Sequence, residues 1–231
     1  CFVSVFNMSI RSGARNLKET EILIRAYNHM CTYHKDDATG HDIAHINRVL
    51  RLATYIAEQE QSQHMLTIQL ASLLHDTVDS KLTNHEKALT KLKSFLKDLQ
   101  LPKEQQQHIL HIIEHISYRH GQNNEVSLTL EGQIVRDADR LDAIGAIGIA
   151  RTFQFAGHFN EPMWVEHSTK HITETDDAHY DQWSPSAIKH FYEKLLKLKS
   201  LMHTETAKQL AAQRHQYMEN FINQFFEEWY F

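Results

Sequence analysis

Three prolines and seven glycines in 231 residues leave this chain short of the two residue types that punctuate turns and penalise helix interiors. With Leu, Ala, Gln, Glu and Lys abundant in their place, the composition points to an all-α domain. Cysteine is scarcer still. Cys1 and Cys31 are the whole complement, and neither sits in a CxxC pattern or near histidine at zinc-finger spacing. A disulfide framework is thereby excluded, and a reducing, cytoplasmic setting is expected. No apolar run reaches the roughly 18 residues of a membrane span. The opening CFVSVFNMSI has neither the charged start nor the long apolar stretch of a signal peptide. There is no excess of positive charge either: the formal net charge is −5, which argues against a binder of nucleic-acid polymers. A local basic pocket for a small phosphate remains compatible with it.

What the chain does have is 42% hydrophobic and 23% charged residues, ordinary for a globular protein, and eighteen histidines spread from His29 to His215. Apolar residues recur at helical spacing nearly throughout. The pattern predicts helices near 16–33, 41–61, 65–76, 84–98, 103–118, 131–155, 184–202 and 204–229. Pro102 suits a first helical turn, and Ser184-Pro185 suits an N-cap followed by proline. A short extended piece is expected at Val126–Leu130. Residues 156–183 break the pattern and read as a long loop of the kind that often serves as a lid or binding segment. Residues 1–15 read as a ragged start and 16–231 as one domain.

Three stretches place ligand-type side chains inside apolar runs: GHDIAHINRV at 40–49, LLHDTVDS at 73–80 and IVRDADRLDAIGAIGIAR at 134–151. Burial makes an unpartnered charge costly, so each polar group there needs a partner. Taken singly, each has a plain explanation. His45 reads as a core or surface histidine, and His75-Asp76 as a charge-paired helix end. Asp137, Asp139 and Asp142 read as a solvated acidic face beside Arg136 and Arg140. His75 and Asp76 are adjacent, and neighbours on a helix point about 100° apart. They serve one purpose only if a third object such as a metal ion lies between them, or if the helix ends there.

Together, the ordered pattern H…HD…D resembles the HD-domain superfamily of metal-dependent phosphohydrolases, and in particular the small bacterial single-domain HD proteins. The likeness extends to HFYEKLLKLKSLMHTETAKQLAAQR at 190–214. It implies an all-α helical bundle with a metal site in its core, held by His45, His75, Asp76 and Asp139. Two imidazoles and two carboxylates form a mixed N/O set suited to Mn²⁺, Mg²⁺, Fe²⁺, Co²⁺ or Ni²⁺. Such an ion acidifies water and polarises a phosphoryl oxygen. Asp79, three residues beyond Asp76, is the candidate acid–base residue, and the resemblance supports it. Candidates for meeting the substrate are Lys81, His41, Arg48, His115, His190 and Lys194.

The resemblance further implies a small phosphorylated substrate, most plausibly a nucleotide, with release of phosphate or pyrophosphate left open. His111 and His115, spaced i, i+4, share a helix face and could bind a common ion, but the adjacent histidine pair expected of two-metal relatives is missing. Two other readings stand beside hydrolysis: a dinuclear iron oxygenase on the same scaffold, and a non-catalytic metal or nucleotide sensor. No membrane partner is expected, and the oligomeric state is open.

Overall fold

A computed structural model describes residues 17–34, 42–78, 85–116, 123–166 and 180–231. Every regular element among them is helical, as the composition predicts. No described helix is long and apolar enough to cross a membrane. The elements are α1 (Leu17–His34), α2 (Ile43–Gln59), α3 (Met65–Leu74), a 3-10 turn (His75–Val78), α4 (His85–Asp98) and α5 (Lys103–His115). They continue with α6 (Leu130–Asp142), α7 (Gly145–His158), α8 (Ala187–Glu193), a second 3-10 segment (Leu195–Leu201) and α9 (Glu205–Trp229). The chain forms two compact units, one ending at Asp139 and the other running from Arg140 to Phe231.

In the first unit α3 is the centre. Every residue from Thr67 to Leu74 is buried. A helix apolar on all sides must be surrounded, and α1, α2 and α5 pack against it. Its few polar side chains are satisfied locally. The Thr67 hydroxyl accepts from Gln105, Gln69 donates to the Thr54 hydroxyl, and Ser72 Oγ donates to the Ile68 carbonyl. By contrast α4 buries only Ala88, Leu92 and Leu96, one stripe at i, i+4, i+8, with charge elsewhere. Against that stripe's flank, the His29 ring from α1 lies flat on Phe95, with centroids 3.9 Å apart and planes 5° apart. His29 Nε2 is buried with no hydrogen-bond partner, and burial holds its pKa below the ordinary 6.5.

The second unit is built on aromatic side chains. Phe153 of α7, Phe191 of α8 and Phe221 and Phe225 of α9 form one cluster, with Phe191 fully buried. Trp164 meets Trp183 edge-on at 5.2 Å, and its indole N–H donates to the Tyr230 hydroxyl. Charged groups stabilise the α6–α7 corner. Arg140 donates to the Leu201 carbonyl at 2.6 Å, Arg214 donates to the Leu141 carbonyl, and Arg151 pairs with buried Asp142 at 2.9 Å. Burial lowers the Arg214 pKa, and the Asp142 charge partly offsets this.

Several boundaries differ from those the pattern predicts. The helix expected over 131–155 is two helices. Gly145 turns the corner at φ +78°, and a Cβ at Gly148 would stand 2.2 Å from the Ala143 carbonyl oxygen. Glycine at these two places permits a bend that hydrophobic periodicity does not register. The helix expected through Asp76 tightens at His75 into the 3-10 turn. Leu130 starts α6, so the expected extended piece at 126–130 is not a strand. The helix over 184–202 is α8 followed by the second 3-10 segment, capped by Ser186 rather than Ser184, with Ser186 Oγ accepting from the Lys189 amide at 3.1 Å. Pro102 is the residue before α5 rather than within it, and the loop expected from 156 begins only after α7 ends at His158.

Two outcomes follow from these contacts. Gly148→Ala drives a methyl into backbone that cannot move aside, so chemical denaturation should show a loss of about 3 kcal/mol. For His29, an unfolded imidazole takes up its proton near 6.5 while the folded one resists it, so the unfolded state binds more protons and stability falls as pH drops below that value. Urea midpoints measured at about pH 7.5 and about pH 5.5 should therefore separate less in His29→Leu than in wild type. Equal separations would exclude His29 as a source of acid sensitivity.

Candidate metal centre

Each candidate ligand is delivered by a local device. Asp42 caps α2: its backbone is extended, and its carboxylate accepts from the His45 amide at 2.8 Å. The buried face of α2 then runs through His45, Ile46, Val49, Leu50, Ala53, Ile56 and Ala57. His45 thus sits on the core face of its helix, 1% exposed. His75 and Asp76 come from the end of the central helix, where the chain tightens into the 3-10 turn. Thr77 Oγ1 donates back to the Leu74 carbonyl at 2.7 Å, and His85 at the start of α4 bonds the Val78 carbonyl at 3.0 Å. Asp139 lies on α6, where the neighbouring residues Ile134–Ala138 are all buried, yet its own side chain is 27% exposed.

These four side chains converge. His45 Nε2 stands 3.3 Å from Asp76 Oδ2 and 3.6 Å from Asp139 Oδ1. His75 Nε2 stands 3.4 Å from Asp76 Oδ1 and 3.7 Å from the same Asp139 oxygen. The two imidazoles meet edge-on with centroids 5.3 Å apart. Donor atoms of His45, His75 and Asp76 all lie within 4.8 Å of one another. The separations exceed the 2.7–3.2 Å typical of N–H···O hydrogen bonds. They match the edge of a coordination shell: ligand bonds of about 2.1 Å give tetrahedral edges of about 3.4 Å and octahedral edges of about 3.0 Å.

The tautomer of His75 carries the chemical argument. Its Nδ1 lies 2.8 Å from the Ser72 carbonyl oxygen, which can only accept, so Nδ1 bears a proton. In a neutral ring, Nε2 then offers a lone pair toward two carboxylate oxygens, and it is buried without a hydrogen-bond partner. Lone pair against carboxylate is repulsive unless positive charge lies between them. A second ring proton would meet that requirement at one imidazole, whereas a divalent cation meets it for both imidazoles and both carboxylates at once, and the backbone bond to Nδ1 is the usual orienting partner of a metal-ligating histidine. His75 and Asp76, though adjacent, can act together because the helix ends there and both side chains reach the same cluster.

The remaining sequence candidates are placed variously. Asp79, Lys81 and His41 lie outside the described residues. Arg48 is half-buried one turn beyond His45 on α2. His115 turns back on its own helix, with Nδ1 on the His111 carbonyl at 2.8 Å and its ring 4.5 Å from that of His111. In the second unit His190 Nδ1 is 3.9 Å from Glu193, and the Lys194 amide closes α8 on the His190 carbonyl. The aspartates of α6 do not form a solvated face. Arg136 and Asp137 are fully buried, Asp142 is 2% exposed and Arg140 3%. Sequence reasoning alone put Arg136 beside a solvated face, although a charge at 136 flanked by Ile134, Val135, Ala138 and Leu141 was the signal for burial. It also passed over the capping role of Asp42, an aspartate standing just before the first helical residue.

A family model for the HD domain matches residues 42–144, which contain all four converging residues. The Bacillus subtilis protein YpgQ is 37% identical over 191 residues, covering 82% of this chain and 84% of YpgQ. The crystal structure of YpgQ in complex with ADP superposes with a TM-score of 0.73 at 34% identity, covering 92% of this chain and 97% of that one. A Lactobacillus plantarum structure gives a TM-score of 0.75 at 39% identity, over 90% and 97% of the two chains. An HD-superfamily hydrolase from Bacillus thuringiensis gives 0.71 at 38%, over 91% and 98%.

If the cluster takes a cation, Mn²⁺ or Co²⁺ at a hundredfold excess over its Kd should stabilise the fold by about 2.7 kcal/mol. Thermal unfolding monitored by fluorescence should show the shift in wild type and lose it in Asp76→Ala. A wild-type melting curve indifferent to both ions would remove the metal reading.

Proposed function

The chain belongs to the HD-domain family, and from that premise we propose that it is a divalent-metal-dependent phosphohydrolase acting on a small phosphorylated metabolite, a nucleotide. The carrying observation is the convergence of two carboxylates and two imidazoles, with the His75 Nδ1 proton turned to backbone so that Nε2 is the ring atom facing the carboxylates. His45, His75, Asp76 and Asp139 would hold it. When bound, such an ion supplies Lewis-acid polarisation of a phosphoryl oxygen and lowers the pKa of water.

The chain's own groups supply the rest. Ser72, through its carbonyl, keeps the His75 proton on Nδ1, and Asp42 orients the first turn that carries His45. The apolar residues packed around His45 and His75 keep bulk water from their rings, which strengthens charge interactions among the four groups. Asp139, the most exposed of the four side chains, marks the side on which solvent and substrate reach the cluster. Asp79 is the proposed proton acceptor and donor, following the HD doublet at a distance of three residues. Lys81, with His41 and Arg48, is proposed to meet phosphate charge, which needs cationic or N–H donors. Nucleotide as the substrate class draws support from YpgQ, the relative crystallised with ADP.

A panel of nucleotides and simple phosphoesters, assayed with Mn²⁺, Mg²⁺, Co²⁺ and Ni²⁺, tests the proposal. Wild type should release phosphate or pyrophosphate from a nucleotide, Asp76→Ala should be inert, and Asp79→Asn should keep its metal while losing on the order of 10²–10⁴-fold in turnover. Two irons per chain with a redox-active spectrum and no phosphate release would instead favour an oxygenase.

A further inference from the structure

Arg136 is fully buried in α6, one turn before Asp139. Its Nη2 donates to the His115 carbonyl at 2.8 Å and the Asn123 carbonyl at 3.0 Å, and its Nη1 approaches the Val126 carbonyl at 3.4 Å. His115 is the last residue of α5. Its carbonyl is one of those a helix C-terminus leaves without an intrahelical donor, and it lies at the negative end of the helix dipole. A guanidinium placed there meets both needs, and its planar fork can serve several oxygens at once, as the compact ammonium of lysine cannot.

The consequence lies in what those two helices touch. α5 packs against α3 and against the 3-10 turn His75–Val78, which carry and orient His75 and Asp76. α6 carries Asp139. Arg136 therefore bridges the scaffold of one half of the ligand set to the helix that supplies another member. Burying a cation costs desolvation free energy that an apolar residue of similar volume would avoid. Retaining it there is accounted for if the alignment of α5 with α6 matters.

We propose that Arg136 is a positioning residue of the metal centre: by tying the C-terminus of α5 to α6, it sets the place of Asp139 relative to His75 and Asp76. This rests on the metal-centre reading above, so its test reads the metal directly. Co²⁺ titration, followed by its visible d–d absorption, should give Arg136→Lys an affinity about tenfold weaker than wild type and an altered band shape. Gln133→Ala, which removes the bond from Gln133 Nε2 in α6 to the Leu128 carbonyl just before that helix, should lower thermal stability yet leave affinity and spectrum unchanged.

A folded Arg136→Lys with wild-type affinity and spectrum overturns the proposal while leaving the metal centre intact. Wild type that binds no Co²⁺ overturns the metal reading and this inference with it. Should Arg136→Lys fail to fold, hydrogen exchange on wild type decides. Co²⁺ should slow exchange of the Ile116 and Val126 amides, which lie beside the carbonyls Arg136 gathers, together with the α6 amides. Slowing confined to α6 overturns the proposal.

Discussion

Two imidazoles whose Nε2 atoms each stand 3.3 to 3.7 Å from the carboxylates of Asp76 and Asp139, where water is largely excluded, form a cluster that needs positive charge among its groups. The proton on His75 Nδ1, turned to the Ser72 carbonyl, leaves Nε2 as the ring atom that faces the carboxylates. Local structure delivers these groups and holds them there. The central helix α3 is buried on every side and anchors His75 and Asp76 at its end, and the capped first turn of α2 aims His45. The helices thus hold together four polar groups that could take a cation, where a plain core would hold apolar ones.

The second constraint is the burial of charge along α6. Arg136, Asp137, Arg140 and Asp142 all lie inside the protein. Several of their contacts run to backbone carbonyls at the ends of other segments: His115 and Asn123 for Arg136, Leu201 for Arg140. Such contacts tie loops and helix termini, the places where backbone groups lack partners, to one buried helix. Asp139 alone among its close neighbours on α6 keeps partial access to solvent. That single opening separates Asp139 from the neighbouring acids of α6, whose side chains are enclosed.

Much of this was legible in the chain. Apolar spacing located nearly every helix, and the three stretches around His45, His75 and Asp139 contain the residues that converge. What escaped was short-range and steric. The division of 131–155 at Gly145 and Gly148 depends on a positive φ and on the approach of the Ala143 carbonyl, neither of which periodicity can register. Arg136 read as surface because charged residues usually are, and only its carbonyl partners explain its burial.

The sequence by itself determined an all-helical chain, the family, and the set of residues able to hold a cation, because hydrophobic period and ligand type are properties of residues and their spacing. Tertiary structure alone decided that donors from three helices meet at one point, which nitrogen of His75 faces them, and which arginine bridges their supports. Those are distances between residues far apart in the chain, and such distances exist only once the helices have packed.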